Sequence, residues 1–141
     1  MLNSHPFLAG EGTILMAHRG GAMEVPENSW QALEHTHSLG LQYLETDAHA
    51  TTDGIVVLIH DELLDRTTND VGPVTSRSWA SLADVRDESG GRLVRLDEAL
   101  ERFPSMRFNV DAKSPSVLGP LVEFASAHPQ RILISSFDDE R

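Results

Sequence analysis

YLETDAH, residues 43–49, is a segment in which polar and apolar side chains alternate. In a β-strand, whose side chains point to opposite faces in turn, Glu45, Asp47 and His49 share one face. Two carboxylates on one face of a largely buried strand repel each other unless a cation neutralises them. A divalent metal ion would do so, and oxygen ligands favour Mg²⁺ or Ca²⁺. The alternative is an edge strand whose polar face meets water.

The composition is that of one globular domain. The chain has 141 residues, of which 40% are hydrophobic and 23% charged, enough for a single core. No segment approaches the roughly 20 apolar residues that a membrane span requires. A net charge of −11 argues against nucleic acid or an anionic membrane as a non-specific partner. Since the sequence lacks cysteine and a recognisable signal peptide, we expect a cytoplasmic protein.

Strands and helices are predicted to alternate in the order typical of a parallel α/β fold. The predicted elements are strand 14–17, helix 30–39, strand 41–49, strand 55–59, helix 96–103, strand 107–113, helix 117–128 and strand 131–136. We expect a single domain over residues 1–141, with the polar segment 62–94 as an insertion over one end of it.

Most of the predicted strands end in polar residues suited to a functional site. These residues are His18, Arg19, Glu45, Asp47, His60, Asp111 and Lys113. In a (β/α)₈ barrel all such ends converge on the C-terminal face, whereas an open doubly wound sheet gathers only those at its switch point. We therefore expect a (β/α)₈ TIM barrel, of which the chain covers about the first five strands.

Eight short motifs, in order along nearly the whole chain, resemble those of the glycerophosphodiester phosphodiesterase family. This family lies within the superfamily of phosphatidylinositol phosphodiesterase-like TIM barrels. The motifs are HRG at 18–20, PENS at 26–29, ETD at 45–47, TDG at 52–54, HD at 60–61, DRTT at 65–68, NVDAK at 109–113 and SSF at 135–137. The order and spacing of all eight carry the resemblance, since any one of them is unspecific.

The resemblance implies an enzyme that cleaves a small-molecule glycerophosphodiester into glycerol 3-phosphate and an alcohol. The implied roles are metal ligand (Mg²⁺ or Ca²⁺) for Glu45, Asp47 and Asp111, acid–base catalysis for His18 and His60, and phosphate contact for Arg19 and Lys113. A cation and an arginine at the non-bridging oxygens would stabilise the charge that grows in the transition state. Two histidines can divide the proton transfers. The nucleophile is either a glycerol hydroxyl, which forms a cyclic phosphate, or water.

Two departures from the family pattern leave alternatives open. Asp111 stands where the family usually has Glu. Sphingomyelinase D-type toxins of the same superfamily can have Asp at this position, but those secreted proteins carry disulfides and this chain has no cysteine. A barrel of this type takes roughly 250 residues, so we expect the chain to be a truncated form of a longer enzyme. Otherwise it is a half-barrel fragment that only binds metal, or a homo-oligomer whose copies cover each other's open sheet edges.

Overall fold

The computed structural model describes residues 5–10 and 12–137, and strands and helices alternate along this part of the chain. Its strands are β1 (Met16–His18), β2 (Tyr43–Ala50), β3 (Val56–Leu58), β4 (Val94–Arg95), β5 (Arg107–Ala112) and β6 (Ile132–Ser135). Its α-helices are α1 (Trp30–Ser38), α2 (Leu96–Arg102) and α3 (Leu118–Ala127). None of these helices is long and apolar enough to cross a membrane.

The strands form one sheet around β2. Four of them run parallel in the order β1-β2-β5-β6, as neighbouring strands do in the wall of an α/β barrel. The pairing of β2 with β5 extends from Tyr43 opposite Arg107 to Ala48 opposite Ala112. The carboxyl ends of these two strands therefore lie side by side, as the sequence predicts.

The strand predicted over residues 55–59 forms β3, but it runs antiparallel to β2, so the parallel direction that we expected is wrong. Residues 51–55 join the two strands in a turn, where the N–H of Gly54 donates to the carbonyl of Thr51. Gly54 has a φ of +78°, which glycine adopts without strain. A parallel crossover needs about a dozen residues or more, so this connection is long enough only for a hairpin.

The two faces of β2 and β5 have different neighbours. The apolar side chains of Leu44, Ala48 and Val110 belong to the main core, together with Leu33 of α1 and Leu121 of α3. Side chains alternate along a strand, so Glu45 and Asp47 of β2 and Asp111 of β5 point to the face away from this core. The helices thus cover one face, and the opposite face carries the candidate site.

Residues 62–94 contain three short 3₁₀ helices, and their apolar side chains form a second, small cluster with two residues of the preceding segment. The helices are Leu64–Arg66, Val74–Ser76 and Ala80–Leu82. The cluster comprises Val57, Ile59, Leu64, Val74, Leu82, Val85 and Leu93. Because Val57 belongs to β3, this segment packs on the β2–β3 hairpin. That it is an insertion into the barrel stays a prediction.

An N-terminal segment covers the opposite end of the sheet from the candidate site. Phe7 is fully buried and packs edge-on against Tyr43 at the start of β2, with ring centroids 5.4 Å apart. Nη1 of Arg107, at the start of β5, donates to the carbonyl of Phe7 at 2.6 Å and to the hydroxyl of Tyr43 at 2.8 Å. One guanidinium thus ties the segment to both strands.

Candidate active site

The carboxyl ends of β1 and β3 lie along the same edge of β2. β1 pairs with the first half of β2, with His18 opposite Glu45, whereas β3 pairs with the second half. The N–H of Ile59 donates to the carbonyl of Asp47 at 2.9 Å, which extends the hairpin back towards β1. Because β1 runs parallel to β2 and β3 runs antiparallel to it, His18 and His60 follow strands that approach this point from opposite directions.

The carboxylates of β2 and β5 form a negatively charged centre next to this point. Asp47 and Asp111 lie opposite each other in the register of the two strands, and each is only 2% exposed. Nζ of Lys113 lies 3.3 Å from Oδ1 of Asp47 and 2.5 Å from Oδ2 of Asp111. Nε of Arg19 lies 3.3 Å from Oδ2 of Asp47, although its N–H does not form a hydrogen bond there. Two cations of the chain itself therefore compensate two buried charges.

Lys113 is held in its charged form. Burial alone would lower the pKa of Lys113, but its hydrogen bond to Asp111 and the charges of both aspartates outweigh burial and raise that pKa. Lys113 is also the single lysine of the sequence. Its ammonium group is thus a permanent positive charge between the two aspartates.

Glu45 is the carboxylate with the least compensation. Burial, and then the charge of Asp47, raise the pKa of Glu45 above its usual value. The backbone N–H of Arg19 donates to Oε2 of Glu45 at 3.2 Å, and Nε2 of His18 lies 3.8 Å from the same oxygen. Arg19 has a φ of +50°, a left-handed conformation that costs a non-glycine residue free energy. The strained backbone aims an N–H at this carboxylate.

Asn28 fixes the orientation of Asp47, a role that the sequence analysis missed. Its Nδ2 donates to Oδ2 of Asp47 at 3.0 Å, and its Oδ1 accepts from the hydroxyl of Thr46 at 2.7 Å. Asn28 does not cap the helix that follows, since Ser29 is the N-cap of α1 and accepts from the N–H of Ala32. The backbone of Asn28 has a φ of +52°, a left-handed conformation that asparagine adopts more readily than most residues.

His60 is held by its neighbours through both its ring and its backbone. Nδ1 of His60 lies 2.8 Å from Oδ1 of Asp61, which in turn pairs with Arg66. The hydrogen bond from Arg66 holds the pKa of Asp61 well below its usual value. Nε2 of His49 lies 3.0 Å from the carbonyl of His60, and a carbonyl can only accept, so this nitrogen carries a proton. Burial lowers the pKa of His49, which keeps its ring neutral.

The predicted metal ligands are neighbours, but they do not enclose a metal position as they stand. Among residues 5–10 and 12–137, no group of three or more His, Asp or Glu side chains is arranged to hold a metal ion. Lys113 occupies the space between Asp47 and Asp111 instead. The chemistry of the donors nevertheless fits a hard divalent cation, and Oδ1 of Asp111 is buried without a hydrogen-bond partner. A cation that displaced Lys113 would satisfy this oxygen.

The structure brings most of the predicted site residues into one set of contacts. His18, Arg19, Glu45, Asp47, Asp111 and Lys113 are linked by the distances given above. His60 joins them through Asp61, Arg66 and Glu27, since Glu27 also pairs with Arg19. Asp61 and Arg66 were noted only as members of matched motifs, and the contact of Arg66 with Glu27 could not be predicted locally because the two residues lie 39 positions apart.

Comparison with known sequences gives one consistent family. Residues 18–123 match the profile of the Glycerophosphoryl diester phosphodiesterase family. A protein of Mycobacterium tuberculosis named "Probable glycerophosphodiester phosphodiesterase 2" is 36% identical over 139 residues, which cover 96% of this chain and 52% of that protein. The glycerophosphodiester phosphodiesterase of Caldanaerobacter subterraneus is 33% identical, over 89% of this chain and 58% of its own length. The chain thus spans about half the length of these relatives.

Solved structures show the same fold. A glycerophosphodiester phosphodiesterase from Agrobacterium tumefaciens superposes with a TM-score of 0.78 at 28% identity, over 92% of this chain and 60% of that one. A phosphodiesterase from Oleispira antarctica, solved in complex with the product sn-glycerol-3-phosphate, gives a TM-score of 0.77 at 26% identity, over 90% of this chain and 58% of that one. The expected fold class, that of a (β/α)₈ TIM barrel, is confirmed, and the chain covers about 60% of the first of these structures.

Proposed function

Because the chain belongs to the glycerophosphoryl diester phosphodiesterase family, we propose that it hydrolyses glycerophosphodiesters to glycerol 3-phosphate and an alcohol. The names of the relatives support this activity, and so does the solved Oleispira antarctica phosphodiesterase that holds sn-glycerol-3-phosphate. The substrate is then a small molecule, and the same names favour this reaction over that of a sphingomyelinase D. The cytoplasmic location and the homo-oligomer stay predictions.

The placement of His18 and His60 at strand ends along one edge of β2 is the observation that carries the proposal. In it, one histidine activates the nucleophile and the other protonates the leaving alkoxide. Because an ionised carboxylate only accepts hydrogen bonds, Asp61 fixes the proton of His60 on Nδ1, which lies 2.8 Å from it. Nε2 of His60 is then free to take up a proton. His18 is accessible to a ligand, since its side chain is 71% exposed.

Arg19 and Lys113 are proposed to contact the phosphate. Both side chains are about one-fifth exposed, so each can reach a ligand while still contacting a buried carboxylate. A phosphodiester carries a negative charge that grows in the transition state, and cations fixed in advance stabilise that charge preferentially. The planar guanidinium of Arg19 suits two phosphate oxygens at once.

Glu45, Asp47 and Asp111 are proposed to hold one divalent cation, Mg²⁺ or Ca²⁺. When bound, the cation would supply a further positive charge for the phosphate oxygens. Lys113 must first leave the space between the two aspartates, and its ammonium group would then be available to the phosphate. The alternative of a half-barrel that only binds metal or associates with itself predicts cation binding without turnover.

Release of glycerol 3-phosphate tests this proposal. The purified protein is incubated with glycerophosphocholine, and in parallel with sphingomyelin, in the presence of Mg²⁺ or Ca²⁺. We expect glycerol 3-phosphate from the first substrate and no choline phosphate or ceramide phosphate from the second. Cleavage of sphingomyelin alone would favour the sphingomyelinase D alternative. Cation binding without cleavage of either substrate would favour the half-barrel alternative.

A further inference from the structure

We propose that Arg66 is a positioning residue that orients His60 and Arg19 together, acting through Asp61 on one side and Glu27 on the other. The role rests on the proposed function, because that function makes His60 a proton carrier and Arg19 a phosphate contact. Arg66 itself contacts neither the phosphate nor the reacting atoms. It belongs to the DRTT motif, to which the proposed reaction assigns no task.

The first arm of the network runs from Arg66 to His60. Nε of Arg66 donates to Oδ2 of Asp61 at 2.7 Å, and Nη2 donates to Oδ1 at 3.0 Å. This two-point contact fixes the plane of the Asp61 carboxylate. The same Oδ1 accepts from Nδ1 of His60 at 2.8 Å. The plane of the carboxylate therefore determines the direction of the imidazole ring.

The second arm runs from Arg66 to Arg19. Nη2 of Arg66 donates to Oε1 of Glu27 at 2.7 Å, and Nη1 donates to Oε2 at 3.2 Å. Nη1 of Arg19 lies 3.3 and 3.2 Å from the same two oxygens. Partial burial acts to raise the pKa of Glu27, but both arginines outweigh burial and lower that pKa. Glu27 thus remains an anion that holds two guanidinium groups.

The backbone around the two oriented residues is already fixed by other contacts. His49 donates to the carbonyl of His60 at 3.0 Å, and Glu45 accepts from the N–H of Arg19 at 3.2 Å. Rotation of the two side chains is the freedom that remains, and the two arms of Arg66 restrict it. A lysine could not replace Arg66, because an ammonium group cannot make paired contacts with two carboxylates.

The exposure of Arg66 separates this role from a contribution to folding. Its side chain is 49% exposed, and ion pairs of exposed side chains contribute little to stability because water and salt screen them. Removal of Arg66 should therefore leave the fold intact while the ring of His60 loses its fixed partner. Arg92 offers a matched control. It is 55% exposed, and its ion pair with Glu98, at 3.5 Å, involves neither His60 nor Arg19.

The test compares Arg66→Gln and Arg66→Lys with Arg92→Gln in the full chain, without substrate. Ring ¹⁵N chemical shifts report which nitrogen of His60 carries the proton. The signals of His60 are assigned as those that are absent from the spectrum of His60→Asn. In the unsubstituted protein we expect the neutral ring to be protonated on Nδ1. In both Arg66 variants the ratio of this form to the Nε2-protonated form should fall by at least about twofold, because Asp61 is free to turn towards solvent. Arg92→Gln should leave the ratio unchanged.

The turnover of glycerophosphocholine provides the second readout. Loss of an outer partner of a functional residue typically costs about 10–100-fold, and we expect a fall of that size in kcat/KM for Arg66→Gln. Asp61→Asn should lower kcat chiefly, whereas Glu27→Gln should raise KM chiefly. The double variant Asp61→Asn/Arg66→Gln should have the kcat of Asp61→Asn, since each change breaks the arm that leads to His60.

The two readouts separate this inference from the proposed function. If the protein shows no turnover, the proposed function fails for this chain, and the His60 signals alone decide the inference. An unchanged ratio of the two protonated forms in Arg66→Gln would overturn it. So would a changed ratio with unchanged kcat/KM in an active protein.

Discussion

Nζ of Lys113 lies 2.5 Å from Oδ2 of Asp111, a side chain that is only 2% exposed. The same ammonium group lies 3.3 Å from Asp47 across the paired strands. The protein thus places its single lysine where the family resemblance implies a metal ion. Competition between the lysine and the metal ion follows, and it can be measured.

Lys113→Met should lower stability without metal and raise the affinity for Mg²⁺ or Ca²⁺. Removal of one partner of a buried ion pair typically costs about 3–5 kcal/mol, and we expect a loss towards the lower end because Lys113 is 21% exposed. Cation affinity should rise at least about tenfold, since no ammonium group has to be displaced. Thermal unfolding in EDTA and titration calorimetry measure the two effects. Arg92→Met, which removes an exposed cation, should change neither, and equal cation affinity in Lys113→Met would contradict the competition.

Glu45→Gln should raise stability at neutral pH in EDTA. Burial and the charge of Asp47 raise the pKa of Glu45, so the ionised carboxylate costs the folded state free energy. This cost is absent below the unfolded-state pKa of about 4.3 and complete above the folded-state pKa. We expect a higher Tm for the variant at pH 7, by about 2–4 °C for each kcal/mol, and no advantage at pH 3. A lower Tm at pH 7 would contradict this expectation, and the exposed Glu101→Gln is the control.

His18→Ala and His60→Ala should each lower kcat for glycerophosphocholine by about 10²–10⁴-fold, the usual contribution of acid–base catalysis. Cation affinity should stay within about twofold, because neither side chain is among the three proposed ligands. Initial rates and calorimetry on the same samples provide both numbers. His37, which is exposed on α1, supplies the control His37→Ala. Full activity in the double variant His18→Ala/His60→Ala would remove both histidines from the mechanism.

Phe7→Ala should destabilise the protein although residue 7 lies close to the N-terminus. Truncation of a buried phenylalanine typically costs about 3–5 kcal/mol, and Phe7 is fully buried against Tyr43. Urea unfolding measures the change, with Val71→Ala as the control because Val71 is 66% exposed. A loss of less than 1 kcal/mol would mean that the segment contributes little to the folding of the sheet.

The alternation of side chains along a strand made much of the site predictable. Leu44 and Ala48 belong to the core, whereas Glu45 and Asp47 contact Arg19 and Lys113 on the other face, as the period of two requires. The same rule applies to the predicted strand 107–113, in which Asp111 and Lys113 are two residues apart and so share one face. These predictions needed only local sequence, because a strand fixes the faces of its own residues.

Features that depend on distant pairing could not be predicted in the same way. The position of Lys113 between Asp47 and Asp111 depends on the register of β2 and β5, which a single sequence does not specify. The link from Arg66 to Glu27 joins two loops that are far apart in the chain. The antiparallel direction of β3, in contrast, could have been predicted from the sequence, because the short connection at residues 51–55 already favours a hairpin.

The most direct test of the account is ³¹P NMR of glycerophosphocholine mixed with the protein, first in EDTA and then with excess Mg²⁺ or Ca²⁺. The account predicts no change in EDTA and conversion to the glycerol 3-phosphate signal once one of the cations is added. Asp47→Asn should show no conversion with either cation. Conversion that continues in EDTA, or the absence of conversion with both cations, would contradict the assignment of a metal-dependent phosphodiesterase.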